Sequence, residues 1–308
     1  MLECAPMGNE RIIGATGLEQ ETGLGKDLLR KWRARYGFPI PEYVREQGGW
    51  LYTDQQITQL RLIRRLLDGG FRPGQIVGAP TEHLTALLAS LPCGGEICCE
   101  RPVIEELIEL LASNAIEALD ERLERERRKC SAREFVIDLL APLTTAVGDA
   151  WAAGKLAIYQ EHLCSSLLMA RLNEELRGLQ AQPNYPRIIF ATPGEETHVL
   201  GLLMARVVLA DSGAECLDLG AQVPAEELNQ AAQACRADMV ALSFSFAYPR
   251  RKVRPELLRL RHLLPASVAI WAGGKGVEAI RRPPAGVSLF SDLGRAAEML
   301  HELAGVRS

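Results

Sequence analysis

The residues with the clearest capacity for chemistry are Glu196 and His198, in the polar loop 193–201 (PGEETHVLG). A carboxylate two residues before a histidine can accept a hydrogen bond from one ring nitrogen while the other nitrogen coordinates a metal. That bond fixes the tautomer and makes the imidazole a better ligand. The pair predicts a metal ligand, although a loop histidine by itself is more often a solvated surface group.

The segments around this loop indicate which elements position it. An apolar run, 187–191 (RIIFA), precedes the loop, and the nearly continuous apolar segment 198–209 follows it. The first is typical of a buried parallel strand and the second of a helix packed on such a sheet. The loop would then lie at the carboxyl end of a strand, where doubly wound α/β sheets hold their ligands.

The spacing Glu196-x-His198-x-x-Gly201 resembles the D-x-H-x-x-G fingerprint of cobalamin-binding domains, with glutamate in place of aspartate. In that family the histidine replaces dimethylbenzimidazole as the lower ligand of the corrin cobalt, so the resemblance implies that His198 binds the metal. The family also has a serine turn after its third strand and paired glycines after its fourth, which line the slot for the nucleotide tail. The corresponding residues here are Ser243, Ser245, Gly273 and Gly274.

A second signal is a cluster of basic residues near the start of the chain. Residues 14–21 and 26–36 are typical of two short helices joined by a turn, with Leu28, Leu29 and Trp32 on the inner face of the second. A basic helix in this arrangement enters a DNA major groove while neighbouring cations meet phosphates. Its outer face carries Lys26, Arg30, Lys31, Arg33 and Arg35.

Residues 45–52 follow, with paired glycines at the tip of an expected small hairpin, or wing, on which Arg45 would meet DNA. Thr53 can cap a helix that runs to residue 67. The segment 22–39 (TGLGKDLLRKWRARYGFP) resembles the winged DNA-binding domain of MerR-type regulators. The resemblance implies a double-stranded DNA operator as partner. The alternative is an amphipathic helical pair with a solvated basic face.

Residues 102–180 have a helical pattern throughout and predict a four-helix bundle, with helices near 103–113, 115–128, 133–153 and 158–179. Gly154 should end the third helix, and Glu161 and His162 should open the fourth. Trp151 would then stand at the same end of the bundle as these two residues. The alternative is that Trp151 is a core residue and that Glu161 complements the helix dipole.

The spacing Trp151-x9-Glu161-His162 is similar to the cap over the upper face of cobalamin in photoreceptor repressors of the CarH and LitR type. There the aromatic and the acid pack against the 5'-deoxyadenosyl group, so the resemblance implies adenosylcobalamin as the cofactor. Those photoreceptors place a second histidine after the tryptophan, which takes the upper cobalt position once light has removed the adenosyl group. This chain has Ala152, so a light-triggered bis-histidine state is in doubt unless His162 serves instead.

Composition bounds the class of protein. Of 308 residues, 47% are hydrophobic and 24% charged, as in ordinary soluble proteins. The sequence contains neither the ~18 to 20 apolar residues of a membrane span nor a signal peptide, so we expect a cytoplasmic protein without membrane contact. The eight scattered cysteines favour reduced thiols. Cys93, Cys98 and Cys99 could hold zinc or sense redox, but no paired motif completes a site.

Charge is distributed unevenly. The net charge of −4 argues against general coating of nucleic acid, yet eleven Lys and Arg face seven acids between residues 11 and 72. We therefore expect a multidomain protein: a disordered tail (1–10), a MerR-type winged helix-turn-helix (11–85), a linker (86–101), a four-helix bundle (102–180) and a cobalamin-binding α/β domain (187–308). The last should be a flavodoxin-like, Rossmann-type parallel sheet with strands near 187, 215, 239, 268 and 287.

Together these patterns predict a cobalamin-dependent transcriptional regulator, a repressor by resemblance, that forms a dimer or tetramer suited to paired DNA half-sites. A cobalamin enzyme would require a further substrate domain, usually a barrel of about 250 residues. The DNA-binding module, the bundle and the α/β domain already account for most of the 308 residues. A third hypothesis keeps DNA binding but replaces the signal with heme, redox or a protein partner.

Overall fold

The computed structural model describes residues 12–44, 49–68, 71–89, 101–179, 184–278 and 280–305. It divides into two compact units, Met1–Cys98 with Ala146–Glu161, and Cys99–Thr145 with His162–Ser308. The expectations for the tail 1–10, for Arg45, and for Cys93, Cys98 and Cys99 fall outside the described residues.

The first unit contains a small winged domain. Strand β1 (Ile12–Gly14) leads into helices α1 (Ala15–Thr22) and α2 (Lys26–Tyr36), and strands β2 (Glu42–Val44) and β3 (Gly49–Thr53) follow. The strands form an antiparallel sheet in the order β1-β3-β2. The two helices are where the sequence predicts them. The hairpin is present, but its first strand precedes the predicted range 45–52, and Gly49 pairs with Val44 as the first residue of β3 and is not at the tip. Strand β1 was not predicted, since three residues are too few to show a period.

Helix α3 (Asp54–Asp68) completes the core of this domain, followed by α4 (Pro73–Ile76) and α5 (Thr81–Ala89). The backbone N–H of Gln56 donates to Thr53 Oγ1 at 3.4 Å, as a capping residue requires. Leu29 and Trp32 are buried in α2, but Leu28 is 38% exposed, so its expected inner position was wrong. Leu29 and Trp32 lie on one helical stripe, and Leu28 is turned about 100° away from Leu29.

The predicted helical region forms α6 (Arg101–Ala112), α7 (Ile116–Arg127), α8 (Ala132–Glu134), a π-helical segment (Phe135–Leu140), α9 (Ala141–Ala152) and α10 (Ile158–Leu179). Three of these run on continuously as Ala132–Ala152, which is the predicted third helix. Within the part of the chain that the structure describes, this stretch is the one helix whose length and hydropathy would suit a membrane span. Buried core helices pass the same test.

The α/β domain comprises β4 (Asn184–Pro193), α11 (Leu200–Asp211), β5 (Ala214–Val223), α12 (Ala225–Ala234), β6 (Met239–Ser243), α13 (Arg250–Leu263), β7 (Ala269–Gly273), β8 (Val287–Phe290) and α14 (Leu293–Gly305). Its five strands are parallel in the order β5-β4-β6-β7-β8. This is the predicted flavodoxin-like order, and it reverses direction between β4 and β6. Ligands bind at that switch point in such sheets.

The sheet of this domain carries buried apolar residues on both of its faces. Residues such as Ile189, Phe190, Val240 and Ile270 are fully inaccessible, which explains their continuous apolar runs. The cysteines that the structure describes are free thiols. Burial raises the pKa of the Cys216 thiol to about 12, so it remains protonated at neutral pH.

Gly274 tests how tightly the end of β7 packs. Its φ is +91°, and a Cβ there would overlap the carbonyl oxygen of Phe244. We expect Gly274→Ala to lower the free energy of unfolding by about 2–4 kcal/mol, because it adds backbone strain to an overlap that the backbone cannot relieve. Urea denaturation measures the change.

The control is Gly178→Ala, since Gly178 lies in α10 with open space at its Cβ position. That change should stabilise the protein by about 0.5–1 kcal/mol. Equal effects of the two substitutions would show that the approach of Phe244 to Gly274 contributes nothing.

Candidate functional site

The loop between β4 and α11 is organised around the side chain of Glu196, which is 1% exposed. Its Oε1 accepts the backbone N–H of His198 at 2.9 Å and lies 2.7 Å from His198 Nδ1. Its Oε2 accepts the backbone N–H of Ser245 at 2.8 Å. A single buried carboxylate thus joins the loops that follow β4 and β6.

The electrostatics of Glu196 favour the ionised form. Burial by itself would raise the pKa of the carboxyl group, but the hydrogen bonds from His198 and Ser245 outweigh it, and the pKa is lowered. An ionised carboxylate beside Nδ1 favours the imidazole tautomer that carries its proton there. The lone pair then lies on Nε2. Because the His198 side chain is 55% exposed, the ring can meet a ligand that comes from solvent.

Three further contacts hold the loop in shape. Thr192 Oγ1 donates to the carbonyl oxygen of Glu196 at 2.5 Å and accepts the backbone N–H of Gln222 at 3.0 Å. Glu195 adopts a left-handed conformation with φ of 72°, and its carboxylate pairs with Lys252 Nζ at 2.5 Å. These contacts explain why α11 begins at Leu200 and not at His198, where its apolar pattern starts.

The serine turn after β6 forms the other side of the site. Ser245 Oγ lies 3.3 Å from His198 Nδ1 and accepts the backbone N–H of Ala247 at 3.1 Å. The ring of Phe246 lies 6.2 Å from that of His198, centroid to centroid. The sequence interpretation did not include Phe246, and its only signal was its place directly after Ser245.

The small residues that the sequence singled out lie next to one another. A Cβ on Gly201 would stand 3.5 Å from Ser243 Oγ, and Ser243 is the register partner of Gly273 in the β6–β7 pair. Gly274 follows directly, and the backbone there approaches Phe244 too closely for a side chain. Gly201, Ser243, Gly273 and Gly274 therefore form a row with little side-chain bulk beside His198, which fits a cofactor with an extended tail.

Trp151 and Glu161 belong to the first unit, whereas His162 belongs to the second. Trp151 stands one residue before the end of α9, and Glu161 is in the first turn of α10. Between the helices, Gly154 adopts a φ of 74° and its N–H donates to Trp151 O at 3.0 Å. The predicted helix end at Gly154 is thus two residues beyond the last residue of α9.

The basic residues of α2 differ in the contacts that their side chains make within the domain. Lys26, Arg30, Lys31 and Arg35 are exposed, and Arg30 pairs with Asp27 at 3.2 Å. Arg33 donates through Nε to Pro39 O and through Nη2 to Tyr52 Oη, both at 2.9 Å. Arg33 therefore ties α2 to the chain around β3, besides its predicted role at DNA.

The role of the buried carboxylate can be tested by Glu196→Gln. Glutamine replaces one carboxylate oxygen by an NH2 group, which would face a backbone N–H donor inside the protein. We therefore expect the free energy of unfolding to fall by about 1–3 kcal/mol. The matched control is Glu195→Gln, which removes one pair between partly exposed groups and should shift stability by less than about 0.5 kcal/mol. Denaturation in urea at pH 7 compares them, and equal shifts would contradict the role of Glu196.

Three protein-family models match the chain. "MerR HTH family regulatory protein" covers residues 15–79, and two distinct models, each described as "B12 binding domain", cover residues 101–174 and 186–286. These matches correspond to the winged domain, the helical region and the parallel sheet. They confirm the fold classes that the sequence predicts for the three regions and cobalamin as the ligand class.

Relatives extend the match over most of the chain. The HTH-type transcriptional repressor CarH of Myxococcus xanthus is 31% identical over 82% of this chain and 85% of its own length. CarA from the same organism is 30% identical over 72% of this chain and 73% of its own. The Methanosarcina barkeri monomethylamine corrinoid protein shares the fold, with a TM-score of 0.53, 17% identity, and coverage of 67% of this chain and 100% of that one.

CarH and CarA are transcriptional repressors, which agrees with the interpretation of this chain as a regulator and not an enzyme. The DNA-binding and cobalamin-binding models occur here in one chain, joined in the order that the sequence predicts. The chain belongs to the family of HTH-type transcriptional repressors that includes CarH and CarA, and it is a cobalamin-dependent transcriptional regulator.

Proposed function

We propose that the cofactor is adenosylcobalamin and that His198 Nε2 is the lower ligand of its cobalt. The observation that carries this proposal is the pair His198 Nδ1 and Glu196 Oε1, 2.7 Å apart at the switch point of the sheet. The carboxylate orients the ring and increases its basicity, as in other metal-bound histidines. Gly201, Ser243, Ser245, Gly273 and Gly274 make room for the nucleotide tail.

When bound, adenosylcobalamin supplies a cobalt–carbon bond that light or chemistry can break. Trp151 and Glu161 contact the upper adenosyl group, and His162 directly follows Glu161 in sequence. This assignment rests on the spacing of these residues. Since Ala152 replaces the second histidine of the photoreceptors, either His162 takes that role or the signal is cobalamin itself, redox or temperature.

The ligand acts on the oligomeric state. A ligand shifts an equilibrium only by as much as it prefers one state, and contacts with Trp151 and Glu161 supply such a preference while the adenosyl group is present. The ligand-bound protein then forms a dimer or tetramer whose DNA modules match paired half-sites of a double-stranded operator. The cation set for DNA is that of α2, with Arg45 on the wing. The protein acts in the cytoplasm.

Absorption spectra test the cofactor assignment. Adenosylcobalamin bound to the protein in the dark should show the spectrum of a corrin with a nitrogen lower ligand, because imidazole replaces dimethylbenzimidazole, and size exclusion should show an oligomer. His198→Ala should lose the cofactor or hold it with the blue-shifted spectrum of a corrin that lacks this ligand, and it should not form the oligomer. The control His301→Ala, an exposed histidine on α14, should behave as the wild type. Green light then shows whether the oligomer depends on the cobalt–carbon bond.

An unchanged spectrum for His198→Ala would overturn the ligand assignment. Binding of heme in place of cobalamin would support the alternative sensor. That alternative is motivated by the glutamate at position 196 and by Ala152. Cobalamin binding without any effect of light would assign the signal to cobalamin level, redox or temperature.

The DNA contacts of α2 can be separated from its internal contacts. We expect Lys31→Ala to reduce the slope of log affinity against log salt by about one, because one phosphate contact is lost. Its stability should be unchanged within about 0.5 kcal/mol, as for other exposed side chains. Fluorescence anisotropy with an operator fragment at several salt concentrations measures the slope.

Arg33→Ala is the comparison, because that side chain bonds to Pro39 O and Tyr52 Oη. Its loss should also lower the free energy of unfolding, by about 1–3 kcal/mol. A normal salt slope for Lys31→Ala would remove this lysine from the DNA interface.

A further inference from the structure

Three residues of α3 lie on one helical face and contact the segment that carries Trp151. Thr58, Arg61 and Arg65 are spaced i, i+3 and i+7, which places them in one row. We call this row the α3 stripe. All of it lies, together with residues 146–161, within the first unit.

The α3 stripe meets that segment in a consistent register. A Cβ on Gly154 would stand 4.0 Å from Thr58 Oγ1. Further along, the guanidinium of Arg61 lies over the indole of Trp151 at 5.4 Å from the ring centroid. At the end of the row, Arg65 Nε pairs with Asp149 Oδ1. As the residue number rises along α3, it falls along the partner segment, so the two cross in opposite directions.

Arg61 is the central contact and is unusually enclosed for an arginine, with 6% of its surface exposed. Charged side chains are seldom buried to that degree without a role for the charge. A guanidinium over an indole is attracted by the ring quadrupole, more strongly when water is excluded. The position of the Trp151 ring is thereby linked to helix α3 of the DNA-binding domain.

A second contact, between Arg65 and Asp149, also joins α3 to the segment that carries Trp151. The Arg65 side chain is 13% exposed and that of Asp149 is 43% exposed, so the pair is partly shielded from screening by salt. A Cβ on Gly148 would stand 3.9 Å from Arg65 Cζ, so Gly148 leaves room for the guanidinium. Among the described residues, the indole Nε1 of Trp151 is buried without a hydrogen-bond partner, whereas the ring face does contact the Arg61 guanidinium.

We propose that Arg61 is a positioning residue: it holds the Trp151 ring for the upper ligand and thereby couples occupancy of the cofactor site to the DNA-binding domain. The proposal rests on the proposed function, in which Trp151 contacts the adenosyl group. A ligand that stabilises one position of the indole also stabilises its stacking with Arg61. By reciprocity, the docked α3 raises ligand affinity by the same factor.

The test measures operator affinity of the full chain, in the dark, with and without adenosylcobalamin. The ratio of the two affinities is the coupling. Arg61→Met keeps the length of the side chain but removes the charged plane. It should reduce the ratio by about five- to thirty-fold, the range expected for a partly to fully desolvated cation–π contact. Arg64→Met, the same change one turn along α3, is the control and should leave the ratio unchanged.

A charge swap provides a readout that loss of folding cannot imitate. Arg65→Glu should lower the ratio, and the double change Arg65→Glu with Asp149→Arg should restore it. The ligand-free protein gives a direct view of the contact: the Nε1–H resonance of Trp151, assigned by its loss in Trp151→Phe, should shift in Arg61→Met and stay in place in Arg64→Met.

Absorption spectra of every variant separate the two claims. If the wild-type protein shows no His198-dependent spectral change, the proposed cofactor is wrong and the coupling falls with it. If that change is present but the ratio is near one in the wild type, or is the same within twofold in Arg61→Met, the coupling alone is overturned. Failure of the charge swap to restore the ratio would also contradict it.

Discussion

The site depends on one buried carboxylate, that of Glu196, which accepts hydrogen bonds from His198 and Ser245. An ionised group in that position is stable only because several donors surround it. The same bonds fix the imidazole tautomer and connect the loops after β4 and β6. The orientation of the His198 ring and the connection between the two loops therefore depend on the same carboxylate.

The parallel sheet explains why this solution occurs where it does. In the order β5-β4-β6-β7-β8, connections leave β4 and β6 in opposite directions and open a crevice between their carboxyl ends. Ser243 and Gly273 are register partners on adjacent strands, and Gly201 faces Ser243. This row of small residues leaves space near the exposed imidazole that larger side chains would fill.

Much of this was predictable from sequence because the signals are local. The spacing of apolar residues and the turn residues predicted the helices of the DNA-binding domain. The apolar runs that alternate with helices predicted the five strands and the flavodoxin-like sheet. The enclosed Arg61 was not predictable, because its contact with Trp151 joins residues ninety positions apart. Phe246 and the π-helical segment Phe135–Leu140 carry no periodic signal. Leu28 shows that an apolar residue one position off the stripe is easily misplaced.

The central claim is that a nitrogen of His198 binds the cobalt. Electron paramagnetic resonance of the cobalt(II) form tests it most directly, with protein labelled with 15N only at histidine and unlabelled corrinoid. The account predicts that each cobalt hyperfine line is split into a doublet by the 15N nucleus and that His198→Ala removes this doublet. A triplet from 14N would contradict it, because the dimethylbenzimidazole of the cofactor would then still occupy the lower position.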